Sequence, residues 1–149
     1  MFQTESTFSS VRKLLETDSK SALSAEDLDT ELWLLLTKKV REPSDLLNIP
    51  TSVGTYFASR YLQWEVGNGG FVQAAENVPE WFEAAEAGYS ALGKHKSAAL
   101  IHRARELLEA NDESGLEALD AEMLPEEWEI DEERVAFVRA HRLEFESVQ

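Results

Sequence analysis

Apolar residues recur at helical spacing along almost the whole chain, and no segment shows the strict alternation of a half-buried strand. Phe8, Val11, Leu14 and Leu15 fall on one side of a helix predicted over residues 6–17. Ser24 followed by Asp27 reads as a capping box that opens a second helix over 24–42, stopped by Pro43. Leu28, Leu32, Trp33, Leu35, Leu36 and Val40 give that helix a wide apolar face. After Pro50 a third helix covers 52–66, with Val53, Phe57, Tyr61 and Trp64 as its stripe.

The run Gly67-Asn68-Gly69-Gly70 breaks that helix, because glycine tolerates the positive φ angles that end one helix and turn into another. At least one of Gly69 and Gly70 is expected to need such a conformation, with Asn68 capping the next helix or turning left-handed itself. A short helix over 71–77 follows, then one opened by Pro79 carrying Trp81, Phe82, Ala85, Tyr89 and Leu92. Gly93 separates it from a helix over 94–109 that buries Ala98, Ile101, Ala104 and Leu108. A weak helix is expected over 111–123, irregular chain over 125–130, and a last helix over 131–146 with acids in its first turn. Phe57, Tyr61, Trp64, Phe71, Trp81 and Phe82 are expected in one core. The pattern predicts an all-α fold, a single-domain irregular helical bundle of about six to eight helices over residues 1–149.

Composition narrows the chemistry. The chain has no cysteine, which removes disulfides, thiolate metal sites and a cysteine nucleophile. No stretch approaches a membrane-spanning length of about 18 apolar residues. The N-terminal MFQTESTFSS lacks the basic-then-apolar profile of a signal peptide, so a cytoplasmic location is expected. His95, His102 and His141 form no His-Glu-x-x-His or Glu-x-x-His motif, and no metal or other cofactor is expected. The glycines form no phosphate-binding loop, and no serine sits in a nucleophile elbow.

Charge changes the picture more. Twenty-nine acids against fourteen bases give a net charge of −15, which argues against a direct grip on nucleic acid or on an anionic membrane. Residues 1–75 carry ten acids and seven bases, whereas 76–149 carry nineteen and seven. Between Arg105 and Arg134 lie thirteen acids and no base. The acidic segment 106–133 holds the candidate partner-binding residues Glu106, Glu109, Asp112, Glu113, Glu117, Asp120, Glu122, Glu126, Glu127 and Glu129. Trp128, set among them, is either a core anchor or an exposed contact.

The run Glu65-Val66-x-Asn68-Gly69-Gly70-Phe71-x-Gln73, with Asn77 four residues on, resembles the signature of the DNA-mimic-type family of small acidic bacterial proteins. The likeness covers residues 52–105, continuing through Ala91-Leu92-Gly93 and the helix from Ala98 to Ala104. It departs from the commoner pattern at Gly67, where a polar residue is usual, and at Ala74-Ala75, where aromatics are frequent. The resemblance implies an all-helical fold and, for some relatives, binding to a DNA-binding protein in place of DNA. It brings no catalytic residues.

Three functions then compete with a merely solvated acidic face. In the first, a non-catalytic DNA mimic offers carboxylates where a duplex offers phosphates, and occludes the DNA-binding face of a basic protein such as a transcription regulator. Acids three or four apart on a helix suit this, lying about 5–6 Å apart at Cβ. In the second, an immunity or antitoxin-type inhibitor plugs a basic toxin or nuclease. In the third, a carboxylate pair performs acid–base catalysis. The expected partner is a basic, nucleic-acid-binding protein, with no direct nucleic acid and no membrane; a homodimer stays open.

Overall fold

The computed structural model describes residues 4–149; Met1, Phe2 and Gln3 of the N-terminal run lie outside the described residues. In chain order the helices are α1 (Val11–Lys20), α2 (Ala25–Leu36), α3 (Thr51–Asn77), α4 (Phe82–Ala91) and α5 (His95–Glu109). They continue as α6 (Glu113–Leu119), α7 (Pro125–Trp128), α8 (Asp131–Ala140) and α9 (Arg142–Glu146). Short 3-10 turns occupy Pro43–Asn48, Pro79–Trp81 and Asp120–Glu122. Among the described residues there is no strand, so the fold is all-α as expected. No helix among them is long and apolar enough to cross a membrane.

Two compact units divide the chain. One runs up to Phe57 and resumes at Asp131–Gln149; the other is Ala58–Ile130. In the first, α1 packs on α2 and α9, and α2 packs on α8. Ser10 and Ser24 cap α1 and α2 by accepting from the Lys13 and Asp27 N–H groups. α1 therefore starts at Val11 rather than near residue 6, leaving Phe8 half-buried ahead of it. Trp33 stacks on Phe57 with ring centroids 4.5 Å apart. The Tyr56 hydroxyl donates to the Asp29 carboxylate at 2.6 Å.

An ion pair between the buried Asp18 and the exposed Arg139 also holds this unit. Arg139 donates to Asp18 from Nη2 at 3.0 Å and from Nε at 3.1 Å, and the Leu23 N–H adds a third bond at 2.9 Å. Burial pushes the Asp18 carboxyl up, but the hydrogen bonds from Arg139 and Leu23 and the charges of Arg139 and Arg142 outweigh it, leaving the carboxyl below its ordinary value.

In the second unit α4 and α5 pack along each other, and α6 and α7 pack on α5. Tyr61 meets Trp81 edge-on at 5.3 Å. Trp128 stacks on Tyr89 at 4.8 Å with an interplanar angle of 11°, and tilts over Phe71 at 5.6 Å. Its indole is 4 % exposed, so the tryptophan in the acidic segment is a core anchor. Residues 125–128, expected to be irregular, form the one turn of α7 that delivers it. The weak helix expected over 111–123 is shorter, α6 followed by a 3-10 turn, after Asn111 takes a left-handed conformation at φ 53°.

Two expectations about α3 need correction. Phe57, Phe71, Trp81 and Phe82 are buried and Tyr61 is half-buried, but Trp64 is 61 % exposed. The buried face of the helix continues through Ala58, Leu62 and Val66. Trp64 stands two residues from both Leu62 and Val66, about 200° around the axis from each, and so faces away. Phe57 belongs to the first unit and the other five aromatics to the second, so they do not share one unit's core. The helix also does not end at Val66. It continues through Gly67 and Asn68, and its backbone leaves helical values only at Gly69 (φ −166°) and Gly70 (φ 79°). Gly70, not Asn68, is the left-handed residue.

Gly70 cannot accept a side chain: φ is left-handed, and an added Cβ would collide with the Asp120 carboxylate. Gly67 lies in helix with open space where its Cβ would stand. We therefore expect Gly70→Ala to destabilise by at least about 1 kcal/mol. Gly67→Ala should raise the melting temperature, since alanine is favoured over glycine in a helix by about 0.5–1 kcal/mol. Thermal melts of the two variants check both. A second expectation concerns acid. Because the Asp18 carboxyl is depressed on folding, its contribution is complete above about pH 4 and is lost as pH falls through the lower folded value. Asp18→Asn should melt below wild type near neutral pH, with the gap closing in acid, as a pH series of melts would read.

Candidate acidic interface

Where each acid of residues 106–133 sits depends on which backbone group or base reaches it. Glu106 and Glu109 end α5 and are exposed. His102 on the same helix approaches Glu106 at 3.9 Å, with its other ring nitrogen 3.3 Å from Glu86. Asp112 caps α6, accepting from the Gly115 N–H at 2.9 Å. Glu113 and Glu117 stand exposed on α6 itself. Asp120 is half-buried and accepts from the Phe71 N–H at 3.0 Å. Glu122 takes both ends of the Arg103 guanidinium, at 2.7 and 3.0 Å.

Glu126 and Glu129 are exposed around the Trp128 anchor, and Glu127 is half-buried. The Glu127 carbonyl accepts from the Ser97 hydroxyl at 2.6 Å, and the Trp128 carbonyl from the Tyr89 hydroxyl at 2.9 Å. These bonds fasten the backbone while the Glu126 and Glu129 side chains stay in solvent. At the segment's end Asp131 pairs with the fully buried Arg134 at 3.4 Å.

The ten candidate acids thus differ in what they are free to do. Asp112 and Asp120 complete hydrogen bonding inside the fold, and Glu122 has its own base. The Arg103 hydrogen bond, and then its charge, hold the Glu122 carboxyl below its ordinary value, and the same contact raises the Arg103 guanidinium. Both side chains are about half exposed, so the pair adds little stability. It does cancel one negative charge, which sequence alone assigns to the unneutralised run because Arg103 lies before it. Glu109, Glu113, Glu117, Glu126 and Glu129 have no ion-pair or hydrogen-bond partner for their carboxylates among the described residues.

The signature residues occupy the helix that the acidic segment docks on. Phe71 is fully buried under Trp128, Gly70 makes room for Asp120, and Gln73 lies one turn beyond the kink. Glu65 is half-buried, while Asn68 and Asn77 are exposed. Glu76, outside the acidic run, lines a groove with Glu113 of α6. Only its helical spacing from Val72 hinted at a shared face. Among the described residues no three acid or histidine side chains converge as a metal-binding group.

A family described as DMP19-like protein matches residues 47–141, which includes the signature run and all ten candidate acids. No curated protein and no solved structure matches the chain.

The different duties of these acids predict different mutational effects. Asp120→Asn, which weakens the acceptor for Phe71, should destabilise by about 1 kcal/mol or more, since this bond joins an ionised acceptor to an N–H at a helix start. Glu117→Gln should leave the melting temperature within about 0.5 kcal/mol of wild type, as exposed sites do. Parallel denaturant titrations check the contrast.

Proposed function

The chain belongs to the DMP19-like protein family, and on that premise we propose that it is a non-catalytic DNA mimic. Its exposed acids occlude the DNA-contacting face of a basic protein such as a transcription regulator. The observation that carries this reading is the set of Glu109, Glu113, Glu117, Glu126 and Glu129, five exposed carboxylates with no hydrogen-bond or ion-pair partner among the described residues, in a segment that has no base of its own. Such a surface resembles a duplex in what it offers a protein: fixed negative charge whose counterions are released when Lys and Arg arrive. Long-range attraction speeds encounter, and like-charge repulsion turns away nucleic acid itself.

The mechanism is competitive. Carboxylates take the places of phosphates against the partner's Lys and Arg side chains, and the partner cannot hold DNA while they are there. Salt weakens the contact, because screening shortens to about 8 Å at physiological ionic strength.

Capture from a native cell lysate, followed by competition with duplex DNA for the captured protein, tests this. Duplex DNA should displace the partner. Glu109→Lys, Glu113→Lys, Glu117→Lys and Glu126→Lys together should slow association by at least about tenfold, with the melting temperature unchanged or raised. Glu122 is left out of that set because Arg103 already engages it. A partner that binds DNA and this chain at once, or equal capture by the reversed variant, overturns the reading. A captured toxin or nuclease whose active cleft is blocked replaces it with the immunity-type alternative.

A further inference from the structure

One groove in the second unit joins apolar and acidic character in a way the rest of the acidic segment does not. Its volume is about 310 Å³ and its apolar lining is Val72 and Ala75 of α3, Leu108 of α5 and Leu116 of α6. Glu76 and Glu113 line it too, both exposed and both without an internal hydrogen-bond or ion-pair partner among the described residues. The left-handed turn at Asn111, itself a lining residue, reverses the chain between Leu108 and Glu113 and so brings an apolar wall and an acid to the same groove.

Three occupants can be compared by what each does to those two carboxylates. A purely apolar side chain would cover Leu108 and Val72 but strip water from Glu76 and Glu113 without replacing its hydrogen bonds, which is costly. A second copy of this chain would bring another −15 charge against the groove. A long basic side chain satisfies both parts, with its methylene stem on the apolar wall and its cationic head at the acids. Arginine does this better than lysine, since its rigid planar fork of donors can serve two carboxylates at once.

We infer that this groove seats an arginine side chain of the basic partner, making it a specificity pocket within the otherwise diffuse acidic surface. The inference rests on the proposed function for the class of partner and on the groove for the residue. The charge complementarity is local: Glu76 and Glu113 face an occupant with no competing base between Glu106 and Glu133. Arginine also enters narrow minor grooves of DNA, where apolar sugar walls are edged by phosphates, so a DNA-contacting face is a natural source of one.

The test uses the full-length chain labelled with nitrogen-15 and an end-capped peptide carrying a single arginine in a glycine–serine frame, beside its leucine counterpart. The arginine peptide should give saturable shifts confined to the amides of residues 72–76 and 108–116, and the leucine peptide none. Glu76→Gln with Glu113→Gln should weaken the arginine peptide by about tenfold, the loss expected for charge-assisted hydrogen bonds. Glu117→Gln with Glu126→Gln should change it less than about twofold, as removing exposed charges does. Matching shifts from the leucine peptide would overturn the inference in favour of an apolar anchor. Shifts spread over the acidic segment, with both double variants equally weakened, would reduce the groove to diffuse charge. The same amides shifting on concentration of the chain alone would assign the groove to a second copy. Failure of DNA to compete for the captured partner strikes the mimic reading and leaves this peptide map as it is. A failed map beside successful competition strikes only the groove.

Discussion

The hydrogen bond from the Phe71 N–H to the Asp120 carboxylate ties the acidic segment to the kink of α3. At Gly69 and Gly70 the helical ladder of α3 breaks, and the run beginning at Phe71 starts with donors that its own helix cannot satisfy. Asp120 answers from forty-nine residues away, supplying an acceptor and a negative charge to a helix start, where both are favoured. The carboxylate occupies the space where a Cβ on Gly70 would stand, so the glycine and the aspartate are two halves of one device. The acidic segment is thereby docked on the kink rather than left as a solvated tail.

Docking at the kink also explains how so much unneutralised charge is tolerated. Leu116, Leu119, Trp128 and Ile130 alternate with the acids and are all buried. Each such burial contributes about 1.5–3 kcal/mol, before the stack of Trp128 on Tyr89 adds about 0.5–1.5 kcal/mol more. A like-charge pair on an exposed helix face costs only about 0.2–0.5 kcal/mol. Packing therefore outweighs repulsion several-fold at each turn. The acids stay where the apolar residues put them, on the solvent side of short helices whose backbones are fixed by Asp112, Ser97 and Tyr89.

Much of this was legible in the sequence, because helical periodicity and glycine or proline stops are local signals. The all-α class, the left-handed glycine and the burial of Phe71 follow from them. The placement of Trp64 did not, since a stripe with spacings of four, four and three stays on one side of the helix, whereas from Ala58 onward the buried face is the opposite one, with Leu62 and Val66. Nor were the duties of individual acids legible. Asp120 is engaged by Phe71 and Glu122 by Arg103, partners far along the chain that no spacing rule connects. Glu76 joins the groove only because α3 passes the α5–α6 corner. Asp112 is the exception: its position ahead of Glu113-Ser114-Gly115 is a local capping signal that the charge count concealed.

Once the engaged acids are set aside, the remaining carboxylates constrain how mimicry can operate. Neighbouring acids on α6, such as Glu113 and Glu117, stand one helical turn apart, with Cβ atoms about 5–6 Å from each other. Phosphates along one DNA strand advance by about 3.4 Å along the axis, in a regular series that short helices joined by turns do not reproduce. The proposed likeness is therefore one of field, not of register. A field gives attraction and speed, but it discriminates poorly among basic proteins, since exposed charge pairs are individually worth about 1 kcal/mol or less. Discrimination needs a place where desolvation makes a wrong side chain costly. In the second unit, an apolar groove edged by two free carboxylates meets that requirement.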